Sequence, residues 1–233
     1  MAPAPIVLVP GFWLGAWAWD EVTSLLRAEG HDVTAITLPG LESLDADRST
    51  ITFADHVDAI CEAVKAAGRT AVLAVHSGAG APGYEASDRM PERIAAMVYV
   101  DSGPAKGAIN PAFDAVEWPL PPWEELEESF DGLTEEQLAI FRQRAVPEPG
   151  CALREGPELS NEARLDVPST VFCTSLTSEQ LKAAIREGYA WIAGLAELRE
   201  ITYHDLATSH WPMWSRPEET AAVIGDAARA AGE

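Results

Sequence analysis

Cysteine is scarce: Cys61, Cys151 and Cys173 are the only three in 233 residues. They are too few and too scattered for a disulfide framework or a metal-ligand set, and a sparse, odd number suits a reducing cytoplasm. Basic residues are also short, with 16 Lys and Arg against 37 Asp and Glu, a formal charge of −21. Such a surface repels phosphate backbones and anionic lipid, which argues against nucleic-acid and membrane partners. It serves solubility, with only a mild preference for neutral or cationic small molecules. The five histidines are dispersed, and no His, Cys or carboxylate set has ligand spacing. No metal and no cofactor is therefore expected. Long apolar runs are missing too. The opening "MAPAPIVLVPG" has no basic leader and too short an apolar stretch for a signal peptide or a membrane span, so it is expected to enter the fold directly. There is no internal repeat and no low-complexity tract. Whether the chain pairs with itself as a homodimer is left open.

What is present is apolar residue in quantity, 47% of the chain, enough for one sizeable core. "PIVLVPG" (5–11) is a short β-branched run closed by Pro-Gly, the pattern of a buried strand. Trp19, Val22, Leu25 and Leu26 follow at helical spacing, and Gly30 closes that helix. "DVTAITLPG" (32–40), "TAVLAVHS" (70–77), "IAAMVYVDSG" (94–103), "STVFCTS" (169–175) and "LREITYH" (198–204) read as further strands. Between them, Phe53, Val57, Ile60, Cys61 and Val64 mark a helix face with Thr52 as N-cap, and Thr177 with Gln180 has capping-box spacing. A last helix spans roughly 218–231. Strand alternating with helix predicts an α/β fold, a mostly parallel sheet with helices on both faces. The rhythm breaks over 104–168, where prolines flank tryptophans and "EELEESFDGLTEEQLAIF" reads as an acidic helix. That segment is too long for a loop and is read as a small cap inserted into a core of residues 1–103 and 169–233.

"VLAVHSGAGAP" (72–82) raises the chemical question. Ser77 ends a buried strand among small residues, close to the G-x-S-x-G turn that exposes a nucleophile at the carboxyl edge of a sheet. The frame here is Val75-His76-Ser77-Gly78-Ala79, with valine in the first glycine position. Alone it fits a nucleophile or an ordinary turn with a capping serine equally well. Two other stretches favour the nucleophile. In "VPGFWLGAW" a Pro-Gly turn after the first strand can present the Phe12 amide, and Gly78 supplies a second N–H for a developing oxyanion. In "ATSHWPMWSRPEE", His210 follows the last strand and precedes the final helix, where a base can return to Ser77. The other histidines have no such placement, and His76 is expected to pack under the turn.

With these stretches in place, the chain resembles the α/β-hydrolase superfamily, and within it the branch holding plant methylesterases, salicylate-binding protein and hydroxynitrile lyases. The likeness is carried by "IVLVPGFWLGAWAWDEVTSLLRAEGHDVTAITLPG", "VHSGAG" and "SHWPMWSRPEE". It implies Ser77 as nucleophile, His210 as base, and the Phe12 and Gly78 amides as oxyanion hole. Two departures stand out. Pro10-Gly11 replaces the family's His-Gly, and residues 175–178, where the family's acid usually stands, contain no carboxylate. Glu179 falls inside a helix start. Asp101, at the end of "AMVYVD", is the candidate acid, since haloalkane dehalogenases of this superfamily can take theirs from that strand; Asp205 is the weaker rival. The expected activity is cofactor-free hydrolysis of small, largely apolar esters or lactones. Phe12, Trp13, Trp118, Trp123 and Trp211 are candidate pocket residues. A lyase of the hydroxynitrile kind would carry a lysine where Trp211 stands, and a non-catalytic binder on the same fold is the remaining alternative.

Overall fold

A run of apolar residues without polar alternation is stable only as a strand covered on both faces, and Ile6–Val9 (β1) is buried along its whole length. The computed structural model describes residues 2–232, and β1 lies inside a six-stranded sheet. Its companions are Val33–Ala35 (β2), Ala71–His76 (β3) and Ile94–Val100 (β4). A two-stranded antiparallel ribbon, Glu117–Trp118 (β5) with Glu148–Pro149 (β6), stands apart from it. Ser169–Cys173 (β7) and Ile201–Asp205 (β8) complete the sheet, in the order β2-β1-β3-β4-β7-β8 with every pairing parallel.

Alternate residues of β1 divide the core. Ile6 and Leu8 face the side covered by Asp20–Ala28 (α1), packing with Val22 and Leu26. Val7 and Val9 face Phe53–Ala66 (α2) and Gly80–Arg89 (α3), packing with Val57, Ile60 and Ala86. The chain leaves β1 for β2 through α1 on one face, and leaves β3 for β4 through α3 on the other. The loops after β1 and β3 therefore diverge, opening a crevice at their carboxyl ends, where ligands bind in open α/β sheets. Ser77 and Phe12 both stand at that edge.

Beyond β4 the chain forms the ribbon, Glu135–Arg144 (α4) and Cys151–Arg154 (α5) before it rejoins the sheet. Ser178–Glu187 (α6), Pro212–Ser215 (α7) and Pro217–Ala230 (α8) follow, with Ile224 and Ala228 of α8 completing the core beside α1. The helices start where the sequence reading puts caps: Thr52 with Asp55 ahead of α2 and Thr177 with Gln180 ahead of α6 both form full capping boxes. Two expectations need correction. The acidic helix expected over 124–141 begins only at Glu135, because Gly132 turns left-handed (φ 86°) and Thr134 caps a fresh start with Gln137. The second strand stops at Ala35 rather than running to residue 40. The Thr37 hydroxyl accepts the Ala16 N–H (2.9 Å), and Gly40 turns at φ 86°.

Candidate active site

Ser77 sits directly after β3 with φ 50°, a conformation costly for any residue bearing a Cβ. The turn closes only because its neighbours are bare. A Cβ on Gly11 would lie 2.7 Å from Ser77 Cβ, and one on Gly80 would lie 2.4 Å from both Ser102 Oγ and the Gly103 carbonyl oxygen. Val75, in place of the motif's first glycine, finds its room in α3, where a Cβ on Gly83 would meet Val75 Cγ1 at 2.5 Å. The space has moved from strand to helix.

His210 reaches this serine from the loop after β8. Its Nε2 is 2.7 Å from Ser77 Oγ, and its Nδ1 is 2.6 Å from Asp101 Oδ2. Asp101, one residue past β4, is itself left-handed at φ 41°. The loop after β7, which carries no acid, instead supplies donors. Thr174 N–H (2.9 Å) and Ser175 N–H (3.0 Å) go to Asp101 Oδ1, and the Ser175 hydroxyl goes to Oδ2. Burial raises the Asp101 pKa, but the His210 hydrogen bond and charge, with these donors, outweigh it and bring the carboxyl to about 2. Burial likewise opposes a charged His210. The Asp101 hydrogen bond and the charges of Glu128 and Asp101 win, leaving its pKa above the ordinary imidazole value. The rival acids have other work. Asp205 accepts from Ser178 N–H (2.6 Å) and Oγ–H (2.7 Å) at the start of α6, and Glu179 pairs with Lys182 at the surface.

His76 does more than pack. Its Nδ1 accepts the Gly11 N–H (3.3 Å), and its Nε2–H donates to the His210 carbonyl (2.7 Å). Burial and the charge of His210 hold its pKa down to about 3, so the ring stays neutral and ties the loop after β1 to the loop of His210.

The Phe12 N–H donates to no protein acceptor among the described residues, and Gly78 is in the first turn after β3, where backbone N–H groups have no intrahelical acceptor. The Phe12 ring lies over Gly78 so closely that a Cβ there would be 2.2 Å from it. Trp13 is left-handed (φ 65°) and bound on three sides. Its N–H donates to Glu148 Oε2 (3.0 Å), its carbonyl accepts from Val146 N–H (3.0 Å), and its indole N–H donates to the Trp118 carbonyl (2.9 Å). A narrow cleft adjoins this loop, lined by Phe12, Gly78, Leu38, Phe53, His56 and Glu148 among others. Of the expected pocket residues, Phe12 and Gly78 line it. Trp13 and Trp118 do not line it: they pack edge-on against Phe12 and against each other as a tilted pair with ring centroids 4.6 Å apart. Trp123 and Trp211 do not line it. They pack with Phe130 and Phe141 in an aromatic cluster, because rings this large lower their energy most by burying each other.

Three residues with a place here were not singled out from the sequence: Glu148, Glu128 and Ser175. Glu148 is buried, and desolvation outweighs the Trp13 hydrogen bond and the Arg48 charge to push its pKa up to about 8. Its flanking prolines advertise only a loop. Among the described residues one trio could share a cation, Asp101, Glu128 and His210, but the Asp101 bond already occupies the Nδ1 that a metal would need. Burial pushes the Cys151 and Cys173 thiols up to about 12, which removes them as nucleophiles.

A profile of the alpha/beta hydrolase family matches residues 6–223. The chain is 36% identical over 98 residues to an esterase, PIR7B, of Oryza sativa subsp. japonica, and 35% identical over 101 residues to Methylesterase 7 of Arabidopsis thaliana. Each match takes in 40% of this chain, and it spans only 37% and 38% of those two relatives. Among solved structures, a tomato methylketone synthase I variant superposes with a TM-score of 0.77 at 18% identity, covering 99% of this chain and all 100% of that one. An extracellular alpha/beta-hydrolase from a Paenibacillus species superposes at 0.76 with 21% identity, covering 97% of this chain and 100% of that one. These two show the shared fold.

Proposed function

Because the chain belongs to the alpha/beta hydrolase family, we infer that it is a carboxylic ester hydrolase acting on small, largely apolar esters or lactones through a serine nucleophile. The observation that carries this reading is the bridge from Ser77 Oγ through His210 to Asp101, with 2.7 and 2.6 Å at the two ring nitrogens. Ser77 Oγ attacks the ester carbonyl as His210 Nε2 takes its proton, and Asp101 holds the ring and balances the imidazolium. The Phe12 and Gly78 N–H groups receive the negative charge on the carbonyl oxygen. His210 then protonates the departing alkoxide, and water, activated by the same ring, releases the acid. No step calls for a metal or an organic cofactor.

Phe12, Leu38 and Phe53 along the cleft favour apolar acyl or alkyl groups. The esterase and methylesterase relatives support ester cleavage. Residues 104–168 act as a cap, reaching the oxyanion loop through Trp118 and Glu148, and so set which substrates enter. Hydroxynitrile-type lysis is disfavoured because buried Trp211, not a cation, follows His210. A binder without catalysis is disfavoured by the Asp101 contact itself.

Ser77→Ala should lower turnover of p-nitrophenyl acetate by about 10⁴-fold or more and abolish labelling by a fluorophosphonate. Undiminished turnover in a clean preparation of that variant would end the mechanism.

A further inference from the structure

His210 has a second carboxylate on its Nδ1 side, one that the mechanism above does not use. Glu128 Oε2 stands 3.4 Å from Nδ1, an ion-pair distance, on the side where Asp101 Oδ2 stands at 2.6 Å. The two acids are unlike. Asp101 is 8% exposed and fixed by donors from Thr174 and Ser175, whereas Glu128 is 40% exposed and makes no hydrogen bond among the described residues.

Glu128 is nevertheless held at the site by its backbone. The carbonyl of Ser129 accepts the His210 N–H (2.8 Å), and Ser129 Oγ–H donates to the Thr208 carbonyl (3.3 Å). Thr208 Oγ1–H donates to the Asp131 carbonyl (3.2 Å), and the Phe130 ring stacks on Trp211 with centroids 5.2 Å apart. Residues 129–131 and the loop carrying His210 thus form one clasp, which keeps the Glu128 backbone beside the ring. The other groups facing His210 are Ser77, the neutral ring of His76 with centroids 4.9 Å away, and Trp211 at 5.0 Å. Among the described residues, only Asp101 and Glu128 bring charge.

We propose that Glu128 is a positioning residue, a second carboxylate partner of His210 that shares Nδ1 with Asp101 and stabilises the imidazolium formed when Ser77 gives up its proton. The proposal rests on the hydrolase reading of Ser77 and His210. An opposite charge this close favours the protonated ring, and partial exposure weakens the effect without removing it. Removing the charge lowers the His210 pKa, so the acid limb of the pH–rate profile moves to lower pH while the plateau rate falls. When Asp101 is lost, Glu128 is the one acid left within reach of Nδ1–H among the described residues, and it takes over part of the role.

Two readouts test this. The first is the titration of His210 by NMR in the free, histidine-labelled protein, compared among the parent, Glu128→Gln and Glu127→Gln. Glu127 is exposed and forms no ion pair with His210, so its variant removes the same charge from the neighbouring position. The His210 pKa should fall by about 0.5–1 unit in E128Q and stay in place in E127Q. The acid limb of kcat/KM for p-nitrophenyl acetate should follow it. The second readout is a double-mutant cycle. E128Q should cost about 3- to 10-fold in kcat in the parent, and Asp101→Asn alone about 10²-fold. The two together should approach the roughly 10⁴-fold loss seen when a serine protease loses its acid. Equal shifts in E127Q and E128Q, no shift in either, or losses that simply multiply would overturn the proposal. A fluorophosphonate that fails to label Ser77 would remove the hydrolase reading instead. The His210 titration needs no substrate and would still decide whether Glu128 acts on the ring.

Discussion

Glu148 is sealed from water with one oxygen on the Trp13 amide, and burial holds its pKa near 8 against an ordinary 4.5. Below about 4.5 the carboxyl is protonated in both folded and unfolded chains. Between 4.5 and about 8 the unfolded chain releases its proton while the folded chain keeps it, so stability falls as pH rises through that window and levels off above it. Over the whole window the loss is about 5 kcal/mol. Glu148→Gln keeps an acceptor for the Trp13 N–H and cannot ionise. Its stability relative to the parent, from urea unfolding, should therefore be about 3 kcal/mol more favourable at pH 8 than at pH 5. An equal difference at both values would show that Glu148 does not hold its proton. Such residues are hard to see in a sequence because what defines them is remote: the Trp13 amide is 135 positions away. Ser77 and His210 are easier, since each sits in a local strand-and-turn pattern. Asp101 lies between these cases. Its place at a strand end is legible, but the Thr174 and Ser175 donors that adapt it to the histidine appear only when β4 and β7 pair.

Among the elements, α3 shows what a helix pattern can conceal. Nine of its residues, Gly80 to Asp88, are buried, including Glu85 and Asp88, so no polar face marks its outer side. Glu85 is paired with Arg89 of the same helix, and Asp88 is met by the segment before β7, which includes a 3-10 turn over Glu162–Asp166. Asp88 pairs with Arg164 (3.0 Å) and accepts the Ser160 (3.0 Å) and Asn161 (2.8 Å) N–H groups, and Arg164 Nε–H donates to the Tyr84 hydroxyl (3.0 Å). Arg164→Met should destabilise the fold by about 3 kcal/mol, because it leaves a buried carboxylate without its cation. Adding Asp88→Asn should recover most of that loss. If the double variant unfolds at the same urea concentration as the single one, the pair is not what anchors α3. Capping boxes and strand cores were legible at this scale because four or five adjacent residues specify them. Strand ends and the acidic run before α4 were not. There, competing bonds such as Thr37 to Ala16, and one left-handed glycine at 132, override local preference.

Across the whole molecule, the sheet order brings the divergent loops of β1 and β3 to one edge, and the three non-glycine residues with positive φ among the described residues, Trp13, Ser77 and Asp101, all lie at that edge. The parallel order of the sheet was readable from strand–helix alternation. The crowding of strained residues at its rim was not, since it depends on how loops meet in space. Ser77→Gly and Ser77→Ala both remove the hydroxyl, but only glycine relaxes the turn. The glycine variant should be the more stable by about 1 kcal/mol in urea unfolding, and equal midpoints would mean that the turn stores no strain. A lineage screened for heat resistance alone would accordingly drift toward glycine at residue 77 and lose its hydroxyl while its fold improved. On the hydrolase reading, only a standing demand for the reaction would keep the serine there.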